Sequence, residues 1–248
     1  MAQKDIGNKV PLHTLKKVED VAAYYDEWAL NNKYDKDMEA WNYTGPKETS
    51  ETFNKYQKNK NIEIFDAGCG TGLVAVELKK MGYQNFYGAD ISQKLLDLAP
   101  QGLYKSLERI DLNKKLIYKD DKFDSVFCVG TFTFGHVKPD ALDEFIRITK
   151  NNGLICFTIN VGVYKDYGFD KKINNLIDNN LKFRSMILPD RFIDHDKPEQ
   201  MYKYAGLDAH SIETKILNTL NSKVVIKKSN YLSSKDVNAW LGIYKVTK

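Results

Sequence analysis

Two aspartates, Asp66 and Asp90, and three glycines, Gly68, Gly70 and Gly72, are the part of this sequence best suited to chemistry. The stretch Glu63-Ile64-Phe65-Asp66-Ala67-Gly68-Cys69-Gly70-Thr71-Gly72-Leu73 reads as a strand, a glycine-rich turn and a helix start. Glycines at 68, 70 and 72 permit a tight turn and let a ligand approach without meeting a Cβ. Such a loop after the first strand of a doubly wound sheet borders the usual ligand crevice. Asp90 lies eighteen residues beyond Gly72, at the end of the next apolar run, where a carboxylate suits a two-oxygen grip on vicinal ribose hydroxyls. A dinucleotide fingerprint requires Gly-x-Gly-x-x-Gly, but counting from Gly68 its third glycine position is Leu73. The spacing is instead Asp-x-Gly-x-Gly-x-Gly, which turns the reading away from a nicotinamide dinucleotide.

The elements that must hold this loop follow from hydrophobic period. Val18, Val21, Ala22, Tyr25, Trp28 and Ala29 form one apolar stripe at helical spacing. Residues 34–61 are polar and broken at Thr44-Gly45-Pro46, with a helix expected from Pro46 toward Lys58. From Ile62 onward, short apolar runs alternate with helical segments. Strands are expected at 62–65, 85–89, 123–129 and 154–159, and helices at 72–81, 92–98 and 139–150. That alternation predicts an α/β, Rossmann-like, doubly wound and mostly parallel sheet. Two further β-prone runs, 223–232 and 240–246, are too close for a crossover helix, so an antiparallel pair is expected to end the sheet. The chain reads as one domain: an N-terminal helical lid at about 14–60, a core at about 61–160, and an insert with the hairpin at about 161–248.

With 248 residues, 42% hydrophobic and 28% charged, the chain can bury a core without staples. Its charge of +4 is scattered, so nucleic-acid and membrane partners are not expected, and no apolar run approaches a spanning length. Cys69, Cys128 and Cys156 are far apart, which suits reduced thiols, and no secretory leader is visible, so a cytoplasmic location is expected. His13, His136, His195 and His210 show no spacing that suggests a metal site.

The series Asp66-Ala-Gly-Cys-Gly-Thr-Gly72 followed by Gly88-Ala-Asp90-Ile-Ser resembles class I S-adenosylmethionine-dependent methyltransferases. Phe123-Asp124-Ser-Val and Ile148-Thr-Lys-Asn-Asn-Gly153-Leu154 match later blocks of that family, with Lys150-Asn-Asn-Gly153 where Lys-Pro-Gly-Gly is usual. Tyr25-Asp-Glu-Trp28-Ala and Tyr34-Asp35-Lys-Asp37, with Gly72-Leu-Val-Ala-Val-Glu-Leu78, narrow the resemblance to the methyltransferase-like proteins of the Williams-Beuren region. The likeness covers about residues 18–165. It implies S-adenosylmethionine as cofactor, with Asp66, Gly68 and Gly70 at the methionine part and Asp66 near the ammonium group. It further implies Asp90 on the ribose, Ile91 on the adenine ring, Asp111 and Leu112 beside the adenine amine, and Val129-Gly130 at the sulfonium. Trp28 and Tyr34 take the place of a lid pair over the methionine end.

His136, just past the strand that borders the methyl group, is the candidate general base, weighed against a helix-entry residue bonded to backbone, which is the preferred reading. Aromatic residues at 132, 134, 164, 167 and 169 read as core rather than as a substrate wall. The sequence after the fourth strand, Cys128-Val-Gly-Thr-Phe-Thr-Phe134, lacks the Asn/Asp-Pro-Pro-Tyr of many amide and base methylases. The expected activity is methyl transfer to an O or N nucleophile of a small molecule, with residues 166–207 as part of a lid and Asp190, Arg191 and Asp194 as substrate-facing candidates. The alternatives are a non-catalytic S-adenosylmethionine-binding regulatory module, a protein methyltransferase and an NAD(P)-dependent reductase. Oligomeric state is left open.

Overall fold

The structure, a computed structural model, describes residues 12–15, 17–178, 182–186 and 239–246. By contacts the chain divides into one unit of residues 1–185 with 239–248 and a second of 186–238, where the sequence reading has a single domain. The glycine loop and its surroundings lie in the first unit. Within it, the helices are α1 (Val18–Trp28), α2 (Lys33–Ala40), α3 (Gly45–Tyr56), α4 (Leu73–Lys80), α5 (Gln93–Leu98), α6 (Ala141–Ile148), α7 (Val161–Tyr164) and α8 (Phe169–Asp178). The strands are β1 (Glu63–Ala67), β2 (Asn85–Asp90), β3 (Tyr104–Arg109), β4 (Phe123–Phe132), β5 (Thr149–Asn160), β6 (Lys182–Met186) and β7 (Ala239–Lys245).

The sheet order is β3-β2-β1-β4-β5-β7-β6. β1 is central, with β2 and β4 parallel on either side, and β3 and β5 extend the parallel run to five strands. The chain therefore reverses its direction of growth between β1 and β4, which opens a crevice at the carboxyl ends of the strands. Because side chains alternate along a strand, one face collects Phe65, Phe123, Val126, Cys128 and Ile155, and the other Ile64, Phe86, Phe127 and Cys156. α6 and α8 cover the first face with Phe145, Ile148, Ile173 and Leu176. α3 and α4 cover the second with Phe53, Val74, Ala75 and Leu78. Phe53 and Phe127 meet edge-to-face at 4.9 Å and are both fully buried, each worth roughly 1.5–3 kcal/mol of apolar burial.

Several local expectations are corrected. α2 lies in the stretch read as polar and broken, and β3 was not anticipated, since Tyr104-Lys-Ser-Leu-Glu-Arg109 alternates too weakly to announce a strand. α6 ends at Ile148 and runs directly into β5, so Asn152-Gly153 is an irregularity inside that strand rather than a turn before it. Asn152 has φ 66°, and a Cβ on Gly153 would stand 2.6 Å from the Asp124 carbonyl, where the β4–β5 register shifts. The last strand, β7, pairs antiparallel with β5, from Leu154↔Lys245 to Asn160↔Ala239. Its expected partner, 223–232, lies outside the described residues, as do Asp190, Arg191, Asp194, His195, His210 and most of 166–207 beyond 178. No helix among the described residues is long and apolar enough to cross a membrane.

Candidate functional site

The glycine loop turns over the carboxyl end of β1 and is fastened to β2 by two hydrogen bonds to a backbone carbonyl and by the side chain of Asp90. The N–H groups of Gly68 and Cys69 both donate to the Ala89 carbonyl, at 2.7 and 3.0 Å. Gly68, Gly70 and Gly72 all have positive φ (73°, 52° and 92°). At Gly68 the requirement is double, because a Cβ would also stand 2.2 Å from Thr131 Oγ1. At Gly70 only Leu95, at 4.0 Å, is near an added Cβ, so that glycine leaves open space facing the crevice.

Asp90 ends β2 beneath this loop. Its Oδ2 accepts from the Gly70 N–H at 2.8 Å and its Oδ1 from the Ser92 N–H at 2.9 Å. Burial raises its carboxyl above the usual range, and these backbone donors hold it back. Ser92 in turn caps α5, its Oγ accepting from the Leu95 N–H at 3.2 Å. Asp66, on β1, is buried and turned sideways, where its Oδ2 accepts from the Tyr104 hydroxyl at 2.7 Å. Desolvation pushes its carboxyl up to about 7, with the Tyr104 hydrogen bond opposing and the nearby Asp90 charge adding. The Cys69 thiol is pushed up by burial and by Asp66 and Asp90, which makes it a packing group rather than a nucleophile.

Above this floor a cleft opens. Its lining includes Ile91, Ile110, Asp111, Leu112 and Asn113, and Val129, Gly130, Thr131, Gly135, His136 and Val137. Asp111 is shaped by an Asx turn, its Oδ1 accepting from the Asn113 N–H at 3.0 Å. The roof comes from the N-terminal helices, with Val18, Val21 and Tyr25 of α1 and Tyr34 of α2 facing in. Three side-chain hydrogen bonds tie this roof to the floor. Asp26 Oδ1 accepts from Ser92 Oγ at 2.5 Å and from the Lys94 N–H at 3.1 Å, and Thr71 Oγ1 donates to Asp35 at 2.6 Å.

Tyr25 and His136 meet across the cleft. His136 Nδ1 lies 2.6 Å from the Phe134 carbonyl, and Nε2 lies 2.7 Å from the Tyr25 hydroxyl. A carbonyl only accepts, so Nδ1 carries the proton, and Tyr25 donates to the bare Nε2. Burial lowers the imidazole to about 4, which keeps it neutral at physiological pH. Burial also raises the Tyr25 and Tyr34 phenols well above their ordinary value.

Tyr34, Gly68, Gly70, Asp90, Ile91, Asp111, Leu112, Val129 and His136 of the sequence-derived candidates all line the cleft. Trp28 and Asp66 are not among its lining residues. Trp28 is buried behind Tyr25, stacked on it at 5.8 Å, with its indole N–H donating to Asp37 at 2.7 Å. It supports the roof without facing the cleft. Asp66 lies beneath the loop, its carboxylate held by Tyr104. Tyr25 was missed as a site residue because Val18, Val21 and Tyr25 were read only as parts of one apolar helical stripe. The signal was the same stripe, read against a cleft instead of a core. Phe132, Tyr164 and Phe169 are core residues, and Tyr167 is partly exposed, its hydroxyl accepting from the Gly135 N–H at 3.1 Å. No cluster of metal-ligating side chains exists among the described residues.

Residues 65–157, which hold the loop, Asp90, β4 and most of β5, match the family model described as a methyltransferase domain. Over those residues the chain is similar to methyltransferase domains. S-adenosylmethionine is the cofactor of this domain. The human methyltransferase-like protein 27 is 34% identical over 139 residues, a match that takes in 54% of this chain and 56% of that protein. The chain thus covers little more than half of that relative's length. Among solved structures, an S-adenosylmethionine-dependent methyltransferase of Thermotoga maritima is 16% identical, covers 91% of this chain and 99% of its own, and has a TM-score of 0.54. The [4+2]-cyclase SpnF, 14% identical over 80% of this chain and 79% of its own, has a TM-score of 0.52. A methyltransferase and a cyclase share this architecture, so the fold alone does not fix the reaction.

Proposed function

We propose that the protein transfers a methyl group from S-adenosylmethionine to an oxygen or nitrogen of a small molecule. The observation that carries this reading is the cleft itself, a glycine floor with Asp90 beneath and a helical roof of Tyr25 and Tyr34 above. The residues fit the cofactor: Gly70 leaves the space a Cβ would fill, and Asp90 presents two carboxylate oxygens to donors. Asp90 would take the ribose hydroxyls, Ile91 and Leu112 the two faces of the adenine, Asp111 its amine, and Val129-Gly130 the sulfonium. Gly68 and Gly70 would border the methionine part, with Asp66 supplying negative charge toward its ammonium from below. When bound, the cofactor supplies an electrophilic methyl group whose leaving group, a neutral thioether, needs no proton. The protein's task is then orientation and exclusion of water, and orientation alone is worth several kcal/mol, up to roughly 7–11 in the best cases. A concave cleft roofed by tyrosine and valine, with a few polar groups converging on it, is the kind of surface that takes a small molecule.

The narrower kinship with the methyltransferase-like proteins of the Williams-Beuren region is part of the same proposal, supported by the motifs at residues 25–37 and 72–78. Binding is tested by thermal shift with S-adenosylmethionine, S-adenosylhomocysteine and NADH. A ligand at 100 times its Kd adds about 2.7 kcal/mol of stability. A shift with NADH alone refutes the cofactor reading of this site. Methyl-labelled S-adenosylmethionine with a cell extract, separated into small-molecule and protein fractions, tests the acceptor. Label in the small-molecule fraction supports the proposal, label in protein moves the assignment to a protein methyltransferase, and binding without label in either supports a regulatory module.

A further inference from the structure

The methyl-facing end of the cleft holds a hydrogen-bonded pair that the binding of S-adenosylmethionine does not itself require. Phe134, two residues before His136, fixes the imidazole with its carbonyl, so that Nε2 is bare and takes the Tyr25 proton. With its own proton turned toward His136, the Tyr25 oxygen is left with lone pairs only. Both residues line the same cleft as Val129, Gly130 and Thr131. No lysine or arginine is among the described lining residues, and the carboxylates of Asp90 and Asp111 share the cleft. An anionic acceptor therefore meets no cationic side chain there, whereas a neutral O–H or N–H group meets an acceptor oxygen aimed by a second residue.

We infer that the methyl acceptor enters as an uncharged, proton-bearing nucleophile and that Tyr25, oriented by His136, takes its proton as the methyl group arrives. This rests on the methyltransferase reading above. As the bond from the acceptor atom to the methyl carbon forms, the methyl–sulfur bond breaks and its electron pair stays on sulfur. The acceptor's proton passes to Tyr25 Oη, and the original Tyr25 proton passes to His136 Nε2. The imidazolium so formed returns its proton to water when the products leave. Tyr25 is then a catalytic residue, and His136 a positioning residue that acts through it. For a hydroxyl acceptor a base of low basicity suffices, because the oxonium formed on alkylation is strongly acidic.

The test uses two cofactor analogues on the full chain, read by isothermal titration. S-adenosylhomocysteine has nothing at the methyl position. Sinefungin carries an amino group there, whose N–H is able to donate to Tyr25 Oη. The isosteric variant Tyr25→Phe is expected to weaken sinefungin about tenfold while leaving S-adenosylhomocysteine within about twofold, the size of one hydrogen bond to a charged donor. His136→Gln is expected to show the same selective loss, because the freed Tyr25 proton then turns toward the ligand. Equal weakening of both analogues, or no effect on sinefungin in Tyr25→Phe, overturns the inference and leaves the pair as a lid contact. If neither analogue binds the wild-type chain, the cofactor site itself is wrongly placed and both readings fall together. Tyr25→Phe stands as the deciding variant should His136→Gln not fold.

Discussion

The floor and the roof of the cleft enclose the same space but are held by different means. The floor is a continuous stretch of chain, Asp66 to Asp90, whose shape is set by backbone: three positive-φ glycines, two amides on the Ala89 carbonyl, and two more on Asp90. The roof is assembled from residues far apart in sequence, Asp26 with Ser92, Asp35 with Thr71, and Tyr25 with His136, each joined by side chains. Backbone hydrogen bonds buried under a sheet end form once and stay, whereas side-chain tethers worth about 1 kcal/mol each can open and close. A binding site that must be rigid beneath its cofactor and yet admit it needs both kinds of construction.

The sharpest way to break this contrast is to attack the floor at two neighbouring glycines. Gly68→Ala must hold an alanine at φ 73° and push Thr131 aside, which is expected to cost about 2–4 kcal/mol and abolish detectable S-adenosylmethionine binding. Gly70→Ala meets open space and should cost roughly 1 kcal/mol, yet it too should lose cofactor because its methyl group enters the cleft. Melting curves and titrations on both variants check this pair. Equal melting losses would mean that the loop is not held as the contacts indicate.

Asp90→Ala is expected to come next. It leaves the Gly70 and Ser92 amides without their acceptor, for about 1–3 kcal/mol of stability each at most. Cofactor affinity should fall about 100-fold, the equivalent of two lost charge-assisted hydrogen bonds. An affinity within threefold of wild type in a titration would remove Asp90 from the ribose site.

Much of this was legible in the residues, and the limits of legibility follow the same division. The floor could be read because its parts are adjacent in sequence and each has one physical reason: glycine where φ is positive, aspartate at a strand end, serine at a helix start. The five parallel strands were foreshadowed by alternating apolar runs, except β3, an edge strand whose burial is partial and whose period is correspondingly weak. The roof resisted reading. The stripe of α1 announces that Val18, Val21 and Tyr25 face something apolar, but a core and a cleft demand the same residues. His136 and Tyr25 are 111 residues apart, and no local pattern announces a partner at that distance. Asp66 was read as lining the methionine part of the cofactor, but it is not among the cleft-lining residues, and its hydrogen bond to Tyr104 depends on β3, the strand that was not foreseen.

Asp66 also sharpens the comparison through pH. Burial raises its carboxyl from 3.8 to about 7, so the folded chain holds this proton more tightly than the unfolded one. Its contribution to stability is accordingly full below pH 3.8 and is lost as pH rises through about 7. A cationic ammonium beside it favours the carboxylate, so cofactor binding should release a proton below pH 7. Affinity is then expected to rise about tenfold between pH 5.5 and 7 and to level off above, a one-proton linkage. Titration in buffers of different ionisation enthalpy measures the released proton directly. Asp66→Asn should bind with no such slope, and a slope unchanged in that variant would assign the proton to another group.

The smallest effects should come from the roof, and they are the ones that separate the two regions most clearly. Asp35→Ala removes the acceptor for Thr71, and Asp26→Ala removes that for Ser92 and Lys94. Each is expected to cost about 0.5–1.5 kcal/mol, and because the tethers bond separate residues on separate helices, the double variant should be close to additive. If the roof opens to admit cofactor, part of this cost reappears as faster escape: about a threefold higher dissociation rate for each variant, with the association rate nearly unchanged. Stopped-flow displacement of S-adenosylhomocysteine, followed by tryptophan fluorescence, reads this directly, because Trp28 stacks on Tyr25 in the roof. Faster release with an intact melting temperature would mean that the tethers act as a latch on the cleft. An equal drop in melting temperature without any change in release would mean instead that α1 and α2 are as fixed as the glycine loop, and that cofactor reaches the cleft by a route that leaves them in place.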